Sequence, residues 1–200
     1  MSVSVRYPTY VAFLEGRLVS RGTLPVVARA AKLALEAGAS RPIQVFDAES
    51  SEPWDLDLSG TLDDVEQRHR LDDIALPRPA RSGPGRPKLG VVAREVTLLP
   101  RHWSWLNEQP GGASAALRRL VDEARSTYAE RDAVRRAQER CYRFMSYTLG
   151  DAPGFEDAAR ALFAGDGPAF AVQISAWPAD LREHLGRLAA PAFRRGPTTQ

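Results

Sequence analysis

The sequence predicts an α+β protein in four parts: an α/β N-terminal domain over residues 1–75 in the order ββαββα, a basic Gly/Pro linker over 76–90, a strand–helix–helix segment over 91–129, and a helical C-terminal region over 130–193. Three observations lead to this reading. Short apolar runs and period-two alternation fill the N-terminal part, apolar residues at helical spacing fill the C-terminal part, and the stretch between is rich in Pro, Arg and Gly. At 44% hydrophobic and 26% charged, the 200 residues have an ordinary globular composition and hold enough apolar material for a core.

Residues 10–14 and 17–20 read as strands flanking Glu15-Gly16, a two-residue hairpin signal. From Leu24 to Glu36, Val27, Ala30, Ala31, Leu33 and Ala34 recur at helical spacing. Residues 43–47 make a further strand, and Trp54, Leu56 and Leu58 alternate with Asp55 and Asp57 at strand period. A short helix over 61–70 follows, with Thr61 or Ser59 as its cap and Asp63-Asp64 suited to its positive N-terminal end. Together these elements imply an antiparallel sheet.

Beyond the linker, residues 91–98 read as a strand, followed by a helix carrying Trp103 and Leu106 and a turn at Pro110-Gly111-Gly112. Trp103 is expected to pack inward and Trp105 to cover a dimer seam or the N-terminal domain. A helix then runs from Ser114 to about Leu149, either continuous or in two pieces meeting near 125–129. Its apolar stripe, from Leu117, Leu120, Val121, Ala124 and Tyr128 to Val134, Ala137, Cys141, Phe144 and Met145, is wide enough to bury. Residues 150–154 end it. Helices over 155–164, 168–175 and 178–189 complete the chain, with 194–200 expected to be a disordered tail.

The net charge of +2 conceals an uneven distribution. Residues 1–80 carry 9 basic and 12 acidic groups, residues 81–150 carry 13 and 7, and residues 151–200 carry 5 and 6. The basic excess surrounds the strand–helix–helix segment, as an electrostatic footprint for a polyanion does; a solvated arginine-rich helix has the same composition. A single cysteine, Cys141, excludes an intrachain disulfide and falls on an apolar stripe, which suits a buried filler in a reducing compartment. No signal peptide is evident, and no apolar run approaches the ~20 residues a membrane span needs, so a cytoplasmic location and no membrane partner are expected.

Residues 95–100 (Glu-Val-Thr-Leu-Leu-Pro), the helix with Trp103 and Leu106, the glycine turn and residues 113–121 (Ala-Ser-Ala-Ala-Leu-Arg-Arg-Leu-Val) resemble the ribbon-helix-helix family. The resemblance implies a homodimer whose paired strands enter the DNA major groove, with the second helix binding a phosphate through its first N–H groups. Ser114, as N-cap, and the amides beside it would hold that phosphate, with Lys88, Arg118 and Arg119. With Val92, Val96 and Leu98 toward the core, Ala93, Glu95 and Thr97 face the groove. A register shifted by one exposes Arg94 but also Val96, and buries Glu95. Glu95 departs from the family, because it repels phosphates and can only accept hydrogen bonds from a base.

Residues 84–88 (Pro-Gly-Arg-Pro-Lys) are similar to the AT-hook core, in which an extended arginine enters a narrow A·T minor groove. That places Arg86 in the groove, with Arg81 and Lys88 on flanking phosphates; a plain basic linker matches the same pattern. Taken whole, the chain resembles a bacterial family known as domain of unknown function 2239, through residues 85–103, 142–145, 150–156 and 161–166. That resemblance brings no assigned activity. It implies that the arm and the ribbon segment belong to one unit.

No cofactor fingerprint, phosphate loop or nucleophile triad is present. Asp55 and Asp57 share a strand face without a third ligand, and His69, His102 and His184 lack metal-ligand spacing. The expectation is therefore a non-enzymatic, cofactor-free transcriptional regulator that binds double-stranded DNA, with A·T-rich sites suggested by the arm. The alternative is a dimeric protein-interaction or ligand-sensing module without DNA readout.

Overall fold

The computed structural model describes residues 8–75, 92 and 94–193, with the side chains of 71–75 excepted. The expected linker over 76–90 and the tail over 194–200 lie outside these residues. Two units are distinguishable: one comprises the chain up to residue 76 together with residues from 133 onward, the other residues 77–132. The first joins the expected N-terminal domain to the expected C-terminal helices in place of two separate parts. The reason is a shared core.

That unit begins with a hairpin, β1 (Tyr10–Leu14) and β2 (Arg17–Gly22), followed by α1 (Leu24–Glu36), β3 (Gln44–Asp47) and α2 (Leu62–Ala75). β1 is the middle strand of an antiparallel three-stranded sheet ordered β2-β1-β3. Glu15 and Gly16 turn the hairpin with φ of +50° and +79°, the left-handed pair that a two-residue hairpin needs. A side chain at Gly16 would meet Pro178 Cγ at 2.8 Å, so glycine is also required for the close approach of the chain.

Tyr10 through Phe13 are all buried, because β1 is covered on both faces. Tyr10 and Ala12 join Leu24, Val27 and Val45 beneath α1. Val11 and Phe13 point the other way, into the main core with Phe46, Cys141, Phe144, Met145, Leu162 and Leu185. Phe46 belongs to β3, and the rest to α4 (Gly112–Leu149), α5 (Phe155–Ala164) and α7 (Ala179–Ala189); α6 (Gly167–Gln173) adds Phe170. α4 is one continuous helix. Only its part from residue 133 belongs to this unit.

The expected strand over 54–58 is absent. After β3 the chain bends back and makes a single bridge, Phe46 to Pro53, with Trp54 N donating to Val45 O at 2.8 Å. Pro53 has no N–H with which to extend a ladder. From there side chains take the place of a neighbouring strand: Arg68 Nη1 donates to Asp57 O (2.8 Å) and Ser59 O (3.2 Å), and Lys32 Nζ donates to Leu58 O (3.1 Å). The alternation survives without the strand, since Trp54 and Leu56 are half-buried while Asp55 and Asp57 are exposed. Thr61 is the cap of α2: its Oγ1 accepts from Asp64 N (3.2 Å), and Asp64 Oδ2 accepts from Thr61 N (2.9 Å), a reciprocal box. The Thr61 hydroxyl, which donates to Asp64 Oδ2 at 2.6 Å, and then the Thr61 N–H hold the Asp64 carboxyl below its ordinary range.

His184 is buried in the main core, its ring 4.5 Å from that of Phe144 and 5.5 Å from that of Phe13. Arg21 Nη2 donates to its Nδ1 at 3.1 Å, so the neutral ring carries its proton on Nε2, which has no hydrogen-bond partner. Burial first, then the charges of Arg21 and Arg187, push its pKa down to about 4. No described helix is long and apolar enough to cross a membrane.

Two outcomes are expected. Between the unfolded value of 6.5 and the folded value of about 4, only the unfolded chain binds a proton at His184. Stability therefore falls as pH falls through that window, by about 3 kcal/mol at its lower end. Urea unfolding at pH 7 and pH 4.5 should show this loss, and His184→Leu should remove that component of the pH dependence. Phe144→Ala, which empties the space between Phe13 and Phe46, should cost about 3–5 kcal/mol at pH 7 by the same measurement.

Candidate nucleic-acid interface

The unit of residues 77–132 contains the expected interface, and within it the described residues form α3 (Pro100–Glu108), the segment leading to it, and the first part of α4. Pro100 opens α3 at a position where a missing N–H costs nothing, and Leu99 O accepts from His102 N (2.8 Å) and Trp103 N (3.3 Å). α3 ends at a tight turn in which Gly112 N donates to Gln109 O at 2.9 Å. Gly111 and Gly112 have φ of +84° and +74°, so glycine makes the helix–helix turn as the sequence suggests.

The expected strand over 91–98 is not formed: residues 92 and 94–99 have no regular structure. Among the described residues no strand lies beside this segment to complete a ladder with it. Val92, Arg94, Glu95, Val96 and Thr97 are all exposed and Leu98 is half-buried, so neither expected register is realised within one chain. Val91 and Ala93 lie outside the described residues.

Leu106 and Ala116 are the buried side chains described here. Around them Val96, Leu99, Trp105, Leu120, Val121 and Tyr128 remain exposed, with Val92 the most open at 71%. Trp103, expected to pack inward, is 37% exposed; it stands one helical step from Leu106 with too little apolar surface over it. Between the segment and the two helices runs an open, largely apolar groove of about 410 Å³, lined by Leu98, Trp105, Leu106, Leu117 and Leu120 together with Arg101 and His102. Leu117 and Leu120 belong to the stripe visible in the sequence, but the groove itself arises only when α3 packs on α4.

Arg94 and Thr97 are exposed on the irregular segment, and Ser114, Arg118 and Arg119 on α4. α4 begins at Gly112, so a glycine makes the helix entry in place of the expected Ser114 cap. Ser114 stands in the first turn, where backbone N–H groups have no intrahelical acceptor, and shares a face with Arg118 at i,i+4 spacing. Arg119 points about 100° away from Arg118. Arg94, Arg118 and Arg119 have no carboxylate within ion-pair distance among the described residues, whereas Arg125 lies 3.9 Å from Asp122. Arg81, Arg86 and Lys88 lie outside the described residues.

Of the remaining candidates, Asp55 and His102 are exposed, and Asp57, His69 and Cys141 have structural settings of their own. Asp57 Oδ1 accepts from Ser59 N (3.0 Å) and Ser59 Oγ (2.6 Å), which depresses its pKa, and Asp57 Oδ2 stands 3.3 Å from Arg68 Nε. His69 is buried on Asp57 O at 3.1 Å. Burial pushes the Cys141 thiol up to about 12, leaving it protonated near neutral pH. Among the described residues no group of His, Cys, Asp or Glu side chains is placed to hold a metal ion.

Compared with known proteins, the chain matches no curated protein and no solved structure. A family model does match it, over residues 9–189, from the two-sided sheet through the buried face of α7. The chain therefore belongs to the family described as uncharacterized protein conserved in bacteria (DUF2239).

Proposed function

We propose that this protein is a homodimeric DNA-binding protein, a transcriptional regulator whose residues 77–132 pair two copies and hold the duplex. One observation carries the proposal: a segment without regular structure or strand partner among the described residues lies beside an open apolar groove, on a unit in which Arg94, Arg118 and Arg119 have no described ion partner. Pairing of residues 91–98 between copies would satisfy the segment's backbone and cover Val96 and Leu99. Arg118, Arg119 and the first-turn amides at Ser114 would bind phosphate, while Thr97, or Arg94 in the other register, would reach base edges. Arg86, flanked by Arg81 and Lys88, would follow an A·T-rich minor groove.

Glu95 favours a second reading. An exposed carboxylate on the segment that would face DNA opposes phosphate, and the same pairing could then serve only as a protein-interaction module.

Titration of labelled random-sequence and A·T-rich duplexes across salt concentration separates the two. Affinity should fall steeply with salt and be higher for the A·T-rich duplex. Arg118→Ala should weaken both duplexes alike and reduce the slope of log affinity against log salt by about 1. Arg86→Ala should weaken chiefly the A·T-rich one. Absence of binding at low salt would leave the interaction module. A monomer at every concentration in sedimentation would remove both readings.

A further inference from the structure

The sheet-and-helix unit contains a cleft that the DNA reading does not use. It is about 740 Å³ in volume, within the ~300–1,000 Å³ range of small-ligand sites. One part of its lining is the loop after β3, with Asp47, Ala48 and Glu49; another is the helical layer, with Arg140 of α4 and Arg187 and Leu188 of α7. Carboxylates and guanidinium groups thus line one cleft from different elements.

Their existing engagements leave these charges incompletely matched. Asp47 Oδ1 accepts from Glu49 N (2.9 Å) and Ser50 N (2.7 Å), which shapes the loop and leaves Oδ2 outside those bonds. Arg140 directs Nε and Nη2 at Leu188 O, each at 3.3 Å, so one guanidinium edge closes the end of α7. Its remaining donors have no carboxylate within ion-pair distance, and neither Asp47 nor Glu49 has a cation that close among the described residues. Arg187 is paired with Glu183. Asp47 and Arg140 are half-buried. Partly desolvated opposite charges in one cleft, too far apart to pair with each other, lose solvation without gaining a partner.

We infer that this cleft binds a small zwitterion with a free ammonium and a free carboxylate, an α-amino acid or a short peptide. The ammonium sits against Asp47 and Glu49 and the carboxylate against Arg140, while Ala48 and Leu188 supply apolar contact. A ligand of one charge satisfies one side of the cleft and is repelled by the other; a zwitterion satisfies both. The inference stands independently of DNA binding.

The test follows backbone amide resonances of the full-length protein during titration with glycine, glycylglycine and triglycine, with acetate and methylammonium as single-charge probes. At least one zwitterion should shift Ala48, Glu49 and Leu188 with a dissociation constant below about 1 mM, and the single-charge probes should bind at least about tenfold more weakly. Which of the three binds best separates a free amino acid from a peptide. Glu49→Gln, which removes a charge from an exposed side chain outside the fold's hydrogen bonds, should weaken binding about tenfold, as should Arg140→Gln. The inference is overturned if no zwitterion binds at about 10 mM, if acetate or methylammonium binds as well, or if Glu49→Gln leaves affinity unchanged.

Discussion

The sheet-and-helix unit depends on the contact that Phe144 makes with β1 and β3. Its ring lies 5.4 Å from that of Phe13 and 5.0 Å from that of Phe46, edge to face in both cases, and 4.5 Å from His184. The strands precede residue 48 and the part of α4 that carries Phe144 follows residue 132, so this contact brings together segments separated in sequence by the whole of the other unit. Edge-to-face aromatic pairs add about 0.5–1.5 kcal/mol each beyond their burial. Closing so long a loop has an entropic cost, and the extended apolar interface around Phe144 is what offsets it.

Helix α4 also supplies polar closure. Gln138 Nε2 donates to Leu162 O (3.1 Å) and Phe163 O (3.2 Å) at the end of α5, as Arg140 does at the end of α7. Arg143 Nη1 donates to Ser50 O at 2.7 Å and so reaches the loop after β3. Three side chains on one stretch of helix therefore donate to carbonyls at helix ends and in a loop. The same arrangement brings Arg140 to the Asp47–Glu49 loop. A structural cap and a ligand-facing charge thus coexist in one guanidinium group, because its planar fork offers donors along separate edges.

The unit of residues 77–132 follows a different balance. With Leu106 and Ala116 as its buried side chains among those described, it has little apolar burial with which to offset chain entropy. Yet Trp103, Trp105, Leu120 and Val121 are at hand to make more. Such a surface is normal for a segment that completes its core with a partner, and unusual for one that works alone. Glycines at 111 and 112 set the turn that brings α3 onto α4 and so create the groove.

Local elements were legible in the sequence wherever one periodicity and its punctuation agreed: the Glu15-Gly16 hairpin, α1 from Leu24 to Glu36, α5 from Phe155 to Ala164, and the turn before α4. Family membership was legible too, through motifs spread along the chain. The strand expected at 54–58 failed because alternation reports which side chains are buried, not what receives the backbone's hydrogen bonds; Arg68 and Lys32 do that. Cap position at Gly112 and the exposure of Trp103 likewise depended on packing beyond the local pattern. The Asp47, Glu49 and Arg140 cleft had no signal in spacing, since its charges come from separate elements. By itself the sequence determined the first hairpin, the helices, their order and the uneven charge. Only the tertiary structure decided that the first and last parts of the chain share one core, because burial of Phe13, Phe46 and Phe144 is a property of their meeting and not of any one segment.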